Sequence, residues 1–138
     1  MLENEVIENL CADLQKNGWL IQSKALDRQK GYDICAAKDG KRLLVEAKGA
    51  RGNPKNHSVV REVFDSCQIK DHLGKAIVKA FELKISNPTA VVAIAHPANE
   101  KIKKIVEPIG KQLLSTGLMF VFVRSDSSTE WLEGKLPN

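Results

Sequence analysis

The stretch "YDICAAKDGKRLLVEAKG", residues 32 to 49, holds two acids and a lysine where a buried strand would ordinarily be apolar throughout. Glu46 and Lys48 sit inside "LLVEAK", and Asp33 stands on the strand before it. Asp39-Gly40 lies between the two strands and is a strong short signal for a two-residue hairpin turn. With that turn, Lys38 faces Lys41, Cys35 faces Leu44, and Asp33 falls opposite Glu46. Side chains alternate along a strand, so Leu44, Glu46 and Lys48 share a face with Asp33 and Cys35, and Leu43, Val45 and Ala47 fill the other. Directly opposed residues have Cβ atoms about 5 Å apart, where two like charges destabilise the pair. Two carboxylates so placed need a cation between them. Lys48 supplies one positive charge but sits a step further along. A divalent ion supplies two and takes oxygen ligands, Mg²⁺ at about 2.0–2.1 Å. A solvated hairpin face with a weak surface ion pair is the ordinary alternative. The apolar residues on both sides of Glu46 speak against it.

The elements that would position these residues follow from hydrophobic spacing. Val6, Ile7, Leu10, Cys11 and Leu14 recur at helical intervals over residues 3 to 17, and Gly18 closes the run. "WLIQSKAL" reads as a strand, and the hairpin 32 to 48 supplies two more. Residues 49 to 61, "GARGNPKNHSVVR", form a loop rich in Gly, Asn and basic side chains. A long helix is expected over about 62 to 85, with Val63, Phe64, Cys67, Leu73, Ile77, Ala80, Phe81 and Ile85 as inward candidates. "TAVVAIAHP" is apolar on both faces, as in a strand inside a sheet. A helix around 99 to 115 carries Pro108, a candidate kink. "LMFVFVR" is another buried strand, and residues from about 125 to 138 read as a loosely held tail. The order is α-β-β-β-α-β-α-β in a single domain, 1–138, with no repeat or linker.

Bulk properties bound the possibilities. The 138 residues are 43% hydrophobic, enough for one core. Lys plus Arg number 21 against 17 acids, a net charge of +4 that permits an anionic partner without demanding one. Cys11, Cys35 and Cys67 show no metal or disulfide spacing and read as small core residues of a reduced compartment. The acidic, helical "MLENEVIEN" is unlike a signal peptide, and no apolar run could span a bilayer. A cytoplasmic protein with no membrane association is the expectation.

The motif resembles that of the PD-(D/E)xK nuclease superfamily, which includes restriction enzymes, archaeal Holliday-junction resolvases and Mrr-like endonucleases. The signature is Asp33, twelve intervening residues, then Glu46-Ala47-Lys48, with Gly31-Tyr32 before the first acid. The resemblance implies a restriction-endonuclease-like αβββαβ core, a mixed central sheet flanked by helices, with an additional helix and strand. It implies Mg²⁺, with Mn²⁺ as substitute, held by Asp33, Glu46 and the Ala47 carbonyl, and Lys48 positioning or deprotonating the attacking water. Members often carry a Glu on the first helix, for which Glu8 is the choice and Glu5 the competitor. Some carry a Gln on the helix after the motif, which would be Gln68 in "SCQIKDHLGKAIVKA". Each of these has an ordinary reading too, as a solvated helix residue. His57, His72 and His96 show no ligand-like spacing, and His96 before Pro97 reads as a strand-end residue. Arg51, Lys55 and Arg61 lie in an acid-free loop leaving the strand beside the metal, where they would grip a phosphate backbone.

The resulting expectation is a Mg²⁺-dependent DNA endonuclease of restriction, recombination or repair type. A double-strand cut by so short a chain implies a homodimer, and specificity would come from that dimer, the loop or a separate partner protein. An RNA-directed nuclease and a catalytically inactive nucleic-acid-binding module of the same fold are the alternatives.

Overall fold

The computed structural model describes residues 1–25, 31–50 and 65–137. Helix α1 spans Glu3–Lys16 and β1 Leu20–Lys24; the hairpin strands are β2, Ile34–Lys38, and β3, Lys41–Ala47. Helix α2 covers Ser66–Ser86, β4 Val91–Pro97, α3 Glu100–Leu113, β5 Leu118–Val123 and β6 Thr129–Trp131. The strands form one six-stranded sheet in sequence order. β1, β2 and β3 run antiparallel as a meander, β3, β4 and β5 run parallel, and β6 returns antiparallel on β5. This is an α/β fold with a mixed central sheet flanked by helices, a restriction-endonuclease-like core.

The hairpin register is the one the Asp39-Gly40 turn demands: Lys38 pairs Lys41, Cys35 pairs Leu44, and Ile34 pairs Val45. Asp39 and Gly40 both have positive φ, 51° and 79°, as a type I′ turn requires. The two faces of the sheet are sorted by the same alternation. Ile34, Ala36, Leu43, Val45 and Ala47 pack with Val6, Ile7, Leu10, Cys11 and Leu14 of α1. Cys35 and Leu44 pack with α2 and α3 on the opposite side, joined by Val92, Ile94, Phe120 and Phe122. Parallel strands buried on both faces account for the unbroken apolar runs of β4 and β5.

Three expectations differ from what is found. The segment read as a loose tail contains β6, and its Trp131 and Leu132 are buried. Its polar composition hid a strand only three residues long, stabilised by tertiary packing rather than by its own pattern. The inward face of α2 is Ile69, Leu73, Ala76, Ala80 and Leu83, whereas Cys67 and Ile85 are exposed. Apolar residues occur around most of this helix, so spacing alone does not select its buried stripe. Pro108 lies inside α3, which continues past it to Leu113. Val63 and Phe64 lie outside the described residues.

Candidate active site

Asp33 sits just before β2 and is fixed through its backbone on two sides. Its N–H donates to the Val45 carbonyl and its carbonyl accepts from the Ala25 N–H, both at 2.8 Å. Its side chain is fixed as well, because Oδ2 accepts the Ala47 N–H at 2.8 Å. One further step of the hairpin register sets Asp33 opposite Glu46. Both acids are buried, at 6% and 3% exposure.

Glu46 is straddled by two lysines. Lys48 Nζ lies 3.3 Å from its Oε2, and Lys79 Nζ, reaching from α2, lies 4.0 Å from its Oε1. At 4.0 Å the second ammonium attracts without hydrogen bonding. Oε1 is a buried oxygen with no hydrogen-bond partner among the described residues. Burial first, and the neighbouring Asp33 charge second, push the Glu46 carboxyl up to about 7, while Lys48 and Lys79 oppose the shift. Burial also raises Asp33, against the Ala47 hydrogen bond and the two lysines. Two neighbouring acids are thus both driven toward protonation, against the pull of the two lysines.

The strand end carrying Lys48 is held from both flanks. Its N–H donates to Ala95 of β4 at 2.9 Å, and Ala50 N–H donates to the Met1 carbonyl at 2.8 Å. Gly49 runs so close to α1 that a Cβ there would stand 2.6 Å from the Glu3 nitrogen. Close backbone approach is the use of glycine here.

Asp33, Glu46 and Lys48 are therefore brought together, while Glu8, Glu5 and Gln68 make contacts elsewhere. Glu8 forms an ion pair with Lys24 at the sheet's edge, and Glu5 accepts the Leu2 N–H at the start of α1. Gln68 is occupied in a capping box: its Oε1 accepts the Asp65 N–H at 2.9 Å, and its own N–H donates to Asp65. Arg51, Lys55 and Arg61 lie outside the described residues.

Two residues near the site were not assigned to it from sequence. Lys79 lies on the sheet-facing side of α2 between Ala76 and Ala80, one of several lysines on that helix. His96 is fully buried at the end of β4, one position past the Ala95 that binds Lys48, and both ring nitrogens lack partners among the described residues. Burial first, then Lys48 and His72, lower its pKa to about 3, so the ring is neutral.

The donor set fits a hard divalent cation. It offers an orphaned carboxylate oxygen on Glu46 and the Asp33 carboxylate, which the Ala47 N–H holds in place. Among the described residues, no cluster of three or more His, Cys, Asp or Glu side chains could hold a metal. Two carboxylates with the remaining positions left to water is the usual protein share of Mg²⁺ coordination.

No protein-family model matches the sequence, and no curated protein does. Two solved structures share the fold. One is an fdxN element excision controlling factor protein from Anabaena variabilis, 18% identical, with a TM-score of 0.64 over 94% of this chain and 98% of that one. The other is an XisH family protein from Nostoc punctiforme, also 18% identical, with a TM-score of 0.60 over 93% of this chain and 98% of that one. At such identity the likeness concerns the backbone fold alone.

Among the described residues no helix is long and apolar enough to cross a membrane.

Proposed function

We propose that this protein is a metal-dependent nuclease that hydrolyses phosphodiester bonds, most simply a DNA endonuclease. The observation that carries this reading is the pair of buried acids, Asp33 and Glu46, with Lys48 bound to one of them and a carboxylate oxygen that has no hydrogen bond among the described residues. Asp33, Glu46 and the Ala47 carbonyl would hold Mg²⁺ or Mn²⁺. When bound, such an ion polarises a phosphoryl oxygen and lowers the pKa of water.

The chain's own residues do the rest. The Ala47 N–H keeps Asp33 in one rotamer, so the acids are preorganised rather than recruited. Lys48 is within reach of the reacting centre because Glu46 anchors it from the neighbouring strand position. Its ammonium would orient the attacking water and donate to a non-bridging phosphate oxygen as negative charge builds there. The water oxygen bonds to phosphorus as one of its protons passes to bulk water, the phosphorus–oxygen ester bond breaks, and the displaced alkoxide takes a proton back from solvent. Arg51, Lys55 and Arg61 would hold the phosphate backbone. Cutting both strands of a duplex calls for two such centres, hence a homodimer, with any selectivity coming from the dimer or a separate protein.

A second reading comes from one structural relative, whose description is an excision controlling factor. In that reading the same face binds nucleic acid and governs another enzyme's cutting. Plasmid, linear duplex, branched and single-stranded substrates, DNA and RNA, incubated with Mg²⁺ or Mn²⁺ separate the two. Cleavage by wild type that falls by about 100-fold or more in Asp33→Asn and Lys48→Ala supports the nuclease. Equal cleavage by these variants overturns this site. Binding without cleavage under every metal condition favours the controlling factor.

A further inference from the structure

Lys79 is a second cation on Glu46, supplied by α2 rather than by the hairpin. The two ammoniums divide the carboxylate between them, Lys48 on Oε2 and Lys79 facing Oε1. Oε1 is the Glu46 oxygen with no hydrogen-bond partner among the described residues, and it is the oxygen that Lys79 faces. Lys79 is also among the charges that oppose the raising of Asp33, so its field spans both acids. The formal charges of Asp33, Glu46, Lys48 and Lys79 cancel. A divalent ion arriving between the acids would leave a surplus of two positive charges, which attracts an anionic phosphodiester.

We propose that Lys79 holds the metal's place on Glu46 and, once the metal binds, turns to the substrate phosphate. The inference rests on the metal-dependent nuclease reading above. Lys79 has the freedom for such a movement: its side chain is 43% exposed, against 16% for Lys48, and it makes no hydrogen bond to Glu46. An ammonium at 4.0 Å competes with an incoming cation for the same oxygen. Removing it should strengthen metal binding while weakening substrate binding. A merely solvated surface lysine would do neither, and a lysine needed to build the site would weaken both.

The test is calorimetric titration of Mn²⁺ into wild type, Lys79→Met, Lys79→Arg and Asp33→Asn, paired with KM and kcat on a duplex DNA substrate at saturating Mn²⁺. Lys79→Met is expected to bind Mn²⁺ roughly two- to fivefold more tightly, the range for a partly exposed ion pair. Its KM is expected to rise about tenfold with a smaller change in kcat. Lys79→Arg restores KM, because the exposed position accommodates a guanidinium. Unchanged or weaker Mn²⁺ binding by Lys79→Met, with Asp33→Asn having lost binding, overturns the role of Lys79 and leaves the metal site standing. Undiminished Mn²⁺ binding by Asp33→Asn overturns the metal site and the role of Lys79 with it. Circular dichroism of each variant confirms that differences arise in the folded protein.

Discussion

Glu46 is where burial, a like charge and two cations meet, and its protonation should be visible in stability. An acid whose pKa is raised on folding, from 4.5 to about 7, binds more protons folded than unfolded between those values. Its contribution to unfolding free energy is therefore full at low pH and is lost as pH rises through that interval. His96 works the other way. Its pKa falls from 6.5 to about 3, so the unfolded chain binds the extra proton and stability rises with pH across that range. The two trends oppose each other up to about pH 6.5, and Glu46 prevails just above. In metal-free protein, Glu46→Gln is expected to gain stability relative to wild type progressively from pH 5 to 8. Urea midpoints at pH 5, 6, 7 and 8 in the presence of chelator check this. A constant difference across that range would mean that Glu46 does not titrate there. Asp33, Glu46 and Lys48 were legible as a trio because alternation and a two-residue turn fix their face without knowledge of the rest of the chain. Lys79 was not. Its place depends on the rotation of α2 against the sheet, and a helix bearing Ile77, Val78, Phe81 and Ile85 as well as Leu73 and Ala80 does not declare which stripe faces inward.

At the scale of elements, the hairpin and its exit are held by two glycines for different reasons. Gly40 has φ 79°, and a Cβ there would meet nothing within 4 Å. Gly40→Ala is therefore expected to cost about 1 kcal/mol, the conformational penalty alone. The register would survive, held by Leu43, Leu44 and Val45 in two cores, and activity with it. At Gly49 a Cβ would press on backbone of α1, at 2.6 Å from the Glu3 nitrogen and 3.0 Å from the Leu2 carbonyl carbon. Backbone cannot swing aside as a flexible side chain can, so Gly49→Ala should shift the strand end and cost about 1–3 kcal/mol. Lys48 is the adjacent residue, so cleavage should fall more than stability explains. Parallel urea denaturation and cleavage rates of the two variants separate these cases. Equal activity loss in both would show that the Gly49 contact does not locate Lys48. The turn glycine was readable as a turn glycine. The packing glycine was not, since the residue it touches lies 46 positions earlier and only the fold brings them together.

Across the whole molecule, the sheet has two edges, β1 and β6, and the C-terminal segment closes one of them. Trp131 packs into the core beneath α1 and Leu132 into the core beneath α2 and α3, so consecutive residues engage both faces of the sheet. Leu132 reaches α3 closely enough that a Cβ on Gly110 would meet it at 2.8 Å. Thr129 adds a hydrogen bond to Asp13 of α1 at 2.8 Å, and Glu130 receives both Lys103 and Arg124 at 3.0 Å. Residues 129 to 132 thus join α1, α3 and β5. Their sequence, Thr-Glu-Trp-Leu, gave no sign of this, because a three-residue strand is too short for alternation to register. Trp131→Ala should cost about 3–5 kcal/mol, the usual range for emptying a buried aromatic site. Removing residues 125 to 138 should do more than destabilise. It would expose the unpaired edge of β5, "LMFVFV", a row of free backbone donors and acceptors on an uncharged apolar strand. The truncated chain is accordingly expected to associate through that edge, giving concentration-dependent light scattering and loss of a cooperative thermal transition. A truncated protein that stays monodisperse and unfolds at the full-length temperature would show that β6 decorates the sheet rather than completing it.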